Sequence, residues 1–169
     1  MKSEYSRPAT IDDLKFLIRA LNKHKVGYLL IGGYALYAHG YNRATVDIDL
    51  LVSSNPETGR QLKTALMALP DHAAKDISPA WFQKRETIRV ADEFVVDIMF
   101  NAAGKTYQDL EKYAETIDLD GIPVRTVNLA GLLLTKHTVR DKDKADRCVL
   151  ERALRDIAEA KKNKKKDRI

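Results

Sequence analysis

The chain reads as an α/β (α+β) domain, a small mixed β-sheet flanked by helices and closed by a C-terminal helical pair. Three observations predict it. Apolar residues recur at helical spacing near both ends, over residues 11–25 and 129–160. Between them lie short apolar runs of strand length at 28–31, 46–52, 87–90 and 94–100. A length of 169 residues, with 44% hydrophobic and 31% charged residues, is enough chain for one hydrophobic core and fits one globular domain over residues 1–160.

Thr10 is placed as an N-cap, with Asp12 and Asp13 in the first turn where a helix dipole favours acid. Ile11, Leu14, Leu17, Ile18 and Leu21 share one helix face, and Gly27 is expected to end the element. Tyr28–Ile31 is the first strand. Gly32-Gly33 turns the chain into a helix of one to two turns, broken at Gly40. Residues 46–52 form the second strand. Asn55-Pro56 opens the next helix, with proline where its missing N–H matters least, and Pro70 stops it.

Residues 71–85 carry Pro79, Trp81 and Phe82 and read as a packed irregular stretch; Trp81 with Phe82 is either apolar packing or a base-stacking wall. Residues 87–90 and 94–100 are strands joined by the polar turn Asp92-Glu93. Residues 107–115 form a short helix. Asp120-Gly121 is a hairpin turn between 117–119 and 122–127. Asn128 caps a helix running to about Arg140, and a last helix spans about 141–160 with Val149, Leu150, Ala153, Leu154 and Ile157 as its stripe. Cys148 is expected in the core of that helix.

Charge is unevenly placed. Of 29 Lys/Arg and 24 Asp/Glu, residues 161–169 hold six and one, leaving 23 of each in the body. The net +5 therefore belongs to this basic tail, expected to be a flexible, solvated end, and supplies no argument for a nucleic-acid-binding body. The single cysteine excludes an internal disulfide and fits a reducing cytosol, so a cytoplasmic location is expected. The longest nearly apolar run, Tyr28–Ala38, is too short to span a bilayer. His24, His39, His72 and His137 have no ligand spacing.

The stretch that carries chemistry is 31–52, IGGYALYAHGYNRATVDIDLLV. Asp47 and Asp49, two residues apart in a strand, share one face, while Val46, Ile48 and Leu50 take the other. Paired carboxylates repel and are costly to bury, and a divalent cation with oxygen ligands is the usual compensation. Their bland alternative is an exposed edge strand. Gly32-Gly33 lets backbone N–H groups approach an anion. Asp97, the one charge in FVVDIMF, needs a partner in a core strand; that partner is a metal or an ion pair with Arg89.

Gly32, Gly33, Arg43, Thr45, Asp47, Ile48, Asp49 and Leu50, read as Gly-Gly followed by Arg-x-Thr-x-Asp-Ile-Asp-Leu, resemble the nucleotidyltransferase superfamily with the DNA polymerase beta-like fold. The similarity is greatest to small bacterial members, the minimal nucleotidyltransferases and the abortive-infection toxin type. Lys136, Arg140, Lys142, Asp143 and Asp146 resemble that superfamily's later Lys and Lys-Asp-Asp block. The resemblance implies a metal-dependent transfer of a nucleoside monophosphate from an NTP to RNA or protein. It implies Asp47, Asp49 and Asp97 as catalytic metal ligands for two Mg²⁺ ions, with Mn²⁺ as a substitute. It also implies Gly32, Gly33, Arg43, Thr45, Lys136 and Lys142 as nucleotide and phosphate contacts, and a toxin–antitoxin setting with a cognate antitoxin. Asp143 and Asp146 are read as groups that hold helices or orient lysines. Many members carry Gly-Ser where this chain has Gly32-Gly33 or Gly33-Tyr34, so the phosphate-contacting serine is missing. The chain has no room for a separate acceptor domain, so an acceptor binds in the open cleft or across a homo-oligomer. Competing readings are a small-molecule (antibiotic) nucleotidyltransferase and an inactive member that binds only a nucleotide or a partner.

Overall fold

The computed structural model describes residues 6–42 and 45–167. Six strands form one mixed sheet in the order β3-β4-β2-β1-β8-β7, with β1 Tyr28–Ile31, β2 Ile48–Val52, β3 Ile88–Ala91, β4 Val95–Met99, β7 Ala114–Leu119 and β8 Ile122–Val127. β2 runs parallel to β4 and β1 parallel to β8; the β1–β2, β3–β4 and β7–β8 pairs are antiparallel. A two-residue ribbon, β5 Asn101–Ala102 with β6 Lys105–Thr106, stands apart. β1 is buried at every position and Leu50, Leu51 and Val52 are nearly inaccessible, so the centre of the sheet is covered on both faces.

The first helix, α1 (Ile11–Lys23), begins in a capping box: Thr10 accepts from the Asp13 N–H and Asp13 accepts from the Thr10 N–H. Leu14, Leu17, Ile18 and Leu21 are its buried face, which packs on α3 (Pro56–Leu66) and β8. Lys25, at φ 55°, ends it in the left-handed region two residues before the expected Gly27. Asn55 caps α3 by accepting from the Thr58 N–H at 2.9 Å. Residues 71–85 contain two 3-10 turns, Ala73–Asp76 and Pro79–Lys84. Phe82 is fully buried there and meets the Phe100 ring edge-on at 5.1 Å, so it packs in the core; Trp81 stays exposed.

Several expected boundaries move. β2 starts at Ile48, so Val46 and Asp47 lie ahead of the strand; Val46 is exposed and its carbonyl accepts from the Ala9 N–H at 2.9 Å. The helix expected over 107–115 is a single turn, α4 (Tyr107–Leu110), and a 3-10 turn, after which Ala114 already pairs with Val127. α5 spans only Leu129–Leu134, because Thr135 turns its hydroxyl onto the Leu132 carbonyl and the chain leaves the helix. The last helix, α6 (Asp141–Lys166), extends through the lysines of the tail. Of its expected stripe only Leu150 and Ala153 are buried; they share a face with Asp143 and Asp146, while Cys148, Val149 and Ile157 are exposed. Among the described residues no helix is long and apolar enough to cross a membrane.

Candidate active site

Strand register places the site. Arg89 on β3 is opposite Asp97 on β4, Asp97 is opposite Asp49 on β2, and Asp49 is opposite Ile31 on β1. These four residues form one row across the sheet, and in-register neighbours project from the same face. Ile31 is followed at once by Gly32, so the row ends on the glycine turn that opens α2 (Gly32–Ala38). A cleft of about 390 Å³ lies over the row and is lined by Gly32, Gly33, Thr45, Asp47, Asp49 and Asp97 from one side. Lys136, Arg140, Lys142 and Asp143 line it from the other.

Gly32 is required twice over. Its φ is +75°, where a side chain is strained, and a Cβ there would stand 2.3 Å from Asp49 Oδ2. The backbone thus closes against the carboxylate and helps remove it from water. Burial is the main reason the Asp49 carboxyl is pushed up from an ordinary 3.8 to about 7. The negative charges of Asp97 and Asp47 push the same way, while Lys136 and Arg140 partly oppose them.

Asp47 and Asp97 have a cation. Arg89 donates from Nη2 to Asp47 Oδ2 at 2.8 Å and from Nε to Asp97 Oδ1 at 3.1 Å, with a further contact to Asp97 Oδ2 at 3.3 Å. The ion pair weighed for Asp97 from the sequence is therefore present, and it extends to Asp47. Among the described residues no three His, Cys, Asp or Glu side chains are gathered closely enough to form a ready-made metal site. The Arg89 guanidinium is itself held more firmly protonated by these contacts, first of all the hydrogen bond to Asp97.

The opposite wall is built on a buried cation. Lys136, 5% exposed, places Nζ 3.0 Å from Asp146 and 3.7 Å from Asp143. Thr138 donates to Asp143 at 2.5 Å, and Arg147 donates to the backbone carbonyls of Lys136 and Thr138. This network ties the loop 135–140 to the first turns of α6. It gives Asp143 and Asp146 the orienting role expected of them. It makes Lys136 a fixed charge rather than a mobile helix-end lysine. Arg140 and Lys142 are exposed at the mouth of the cleft.

The structure thus brings Gly32, Gly33, Thr45, Asp47, Asp49, Asp97, Lys136 and Lys142 around one space, while Arg43 lies outside the described residues. Arg89, expected only as an ion-pair partner of Asp97, and Arg140, named only within the Lys-Asp-Asp block, join them in the cleft lining. A sequence signal for Arg89 exists: a hairpin centred on residue 93 pairs position 89 with position 97. The histidines lie apart from the cleft lining; His39 Nε2, for example, is 2.8 Å from the Val127 carbonyl.

Three comparisons bear on this arrangement. No curated protein matches the chain. A solved structure of a candidate nucleotidyltransferase from Thermotoga maritima superposes with a TM-score of 0.51, covering 92% of each chain at 15% sequence identity, a likeness of fold. The family model described as nucleotidyl transferase AbiEii toxin, type IV TA system, matches residues 15–159, from the middle of α1 through most of α6 and across every residue of the cleft. The chain is a nucleotidyltransferase belonging to the AbiEii toxin family.

Proposed function

We propose that the protein transfers a nucleoside monophosphate from an NTP to a hydroxyl of an RNA or protein acceptor, with Mg²⁺, in the cleft over Asp47, Asp49 and Asp97. The observation that carries this reading is the in-register pair Asp49 and Asp97, with Asp49 half-buried under the cleft and its carboxyl pushed up to about 7. An all-oxygen donor set of this kind fits a hard divalent cation. Asp47, Asp49 and Asp97 would hold the ions. Two such ions, when bound, stabilise the attacking and leaving oxygens of an in-line displacement.

The remaining steps fall to the chain itself. The acceptor oxygen attacks the α-phosphorus, the bond from the α-phosphorus to the bridging oxygen breaks, and pyrophosphate leaves. Asp97 takes the acceptor's proton. Gly32 and Gly33 line the cleft and would present backbone N–H groups to the phosphate tail. Lys142 and Arg140, exposed at the mouth, neutralise the triphosphate and the departing pyrophosphate; Lys136 contributes a fixed field from the wall. Membership of a type IV toxin–antitoxin family supports a cognate antitoxin as partner.

The test is thermal unfolding with ATP, CTP, GTP and UTP, with and without Mg²⁺, on the protein and on Asp49→Asn. A native-state ligand at a hundredfold excess over its Kd adds about 2.7 kcal/mol of stability. A Mg²⁺-dependent rise with at least one triphosphate, lost in Asp49→Asn, is expected. An intact fold that responds to none of the four would overturn the proposal.

A further inference from the structure

We propose that Arg89 is the built-in counter-cation of the site, and that a divalent ion must take Asp47 and Asp97 from it, so that Arg89 sets the metal affinity. The inference rests on the metal-dependent reading above. Its basis is geometric. Arg89 lies in the same row of the sheet as Asp97 and Asp49 and is the residue that contacts both Asp97 and Asp47. A metal ion and a guanidinium draw on the same carboxylate lone pairs. They compete for the same oxygens, and two cations at one carboxylate repel each other.

Arg89 is also built to leave. Its side chain is 60% exposed on the outermost strand of the sheet, so no core packing opposes its movement. A groove of about 460 Å³, lined by Trp81, Lys84, Glu86, Thr87, Ile88 and Arg89, opens on its other side. Glu86 there offers an alternative acidic neighbour. Asp49 lines the cleft and takes no hydrogen bond from Arg89, so entry begins at Asp49 and is completed when Arg89 swings away.

The experiment is Mn²⁺ binding by calorimetry, without nucleotide, to the full chain, Arg89→Gln, Arg89→Lys and Asp49→Asn, with melting curves to verify folding. Arg89→Gln is expected to bind Mn²⁺ about three- to tenfold more tightly than the parent, the range expected for losing a pair of exposed ionic contacts. Arg89→Lys, which keeps the charge but loses the two-carboxylate fork, is expected between the two. Should the glutamine variant fail to fold, tighter binding by Arg89→Lys still carries the inference. Equal or weaker binding by the Arg89 variants, while Asp49→Asn loses the ion, overturns the role of Arg89 and leaves the metal reading standing. No Mn²⁺ binding by any of the four proteins overturns both.

Discussion

Asp49 and Asp97 face each other directly across the parallel β2–β4 pair, and only one of them is neutralised by hydrogen bonding to Arg89. The other carries the consequence. Asp49 has its folded pKa raised to about 7 from 3.8, the reverse of a carboxylate with a cationic partner. The native state then binds the proton more tightly than the unfolded chain. Stability from this group is fully present below pH 3.8 and is lost as pH rises towards 7. The groups that act on it are Asp97, Lys136, Asp47 and Arg140. In metal-free buffer, Asp49→Asn is expected to raise the Tm at pH 8 and to have little effect at pH 4. The gain is up to about 4 kcal/mol, from a shift of about three pH units. Melting curves across pH in the presence of a chelator check it.

Gly32→Ala should damage both fold and site. The positive φ costs about 1–2 kcal/mol for any side chain, and the Cβ contact with Asp49 Oδ2 adds to it. Gly40 is the control: its φ is +92° but nothing lies within 4 Å of a Cβ there. Gly40→Ala is expected to lose only about 1–2 kcal/mol in urea unfolding and to keep nucleotide binding. Gly32→Ala is expected to lose more stability and to abolish that binding.

Lys136 is predicted to be a structural keystone of the cationic wall. Lys136→Met leaves Asp143 and Asp146 buried, at 7% and 4% exposure, without their shared cation. Breaking such a pair from one side costs about 3–5 kcal/mol. Adding Asp143→Asn and Asp146→Asn to Lys136→Met should restore part of the loss, as read by chemical denaturation. A triple variant no more stable than Lys136→Met would contradict the network.

Asp92 is a fourth test, away from the cleft. Its carboxylate accepts from the N–H groups of Asp71 and Ala73, at 2.8 and 2.9 Å, and from that of Glu93 at 2.8 Å. It is 2% exposed and ties the turn after α3 to the β3–β4 hairpin that positions Arg89 and Asp97. Asp92→Ala strands those donors and is expected to cost about 3 kcal/mol, measured by urea unfolding, with Asp92→Asn losing less.

What was written locally was readable locally. The caps at Thr10, Asn55 and Asn128, the hairpin turn at Asp120-Gly121 and the apolar stripe of α1 are nearest-neighbour chemistry, and each stands where its spacing puts it. The Gly32-Gly33 turn and the Asp47-x-Asp49 pair were legible because their geometry arises within a few residues. Element ends were less so: the stop of α5 at Leu134 depends on one hydroxyl turning back, and the buried face of α6 is the stripe of Asp143, Asp146, Leu150 and Ala153. The outward placement of Cys148 followed from that packing.

The sequence by itself determined most of the helices and strands and the acidic pair with its glycine turn. Only the tertiary structure decided that β4 lies beside β2 in a register that sets Asp97 against Asp49. It also decided that Arg89 spans Asp47 and Asp97, and that Lys136 is buried between two α6 carboxylates. The physical reason is distance along the chain. Between Asp49 and Asp97 lie α3, two 3-10 turns and β3, and between Asp97 and Lys136 lie the β5–β6 ribbon, α4, a 3-10 turn, the β7–β8 hairpin and α5. Pairing across such separations is chosen by how the whole sheet buries its apolar faces, and no local spacing encodes it.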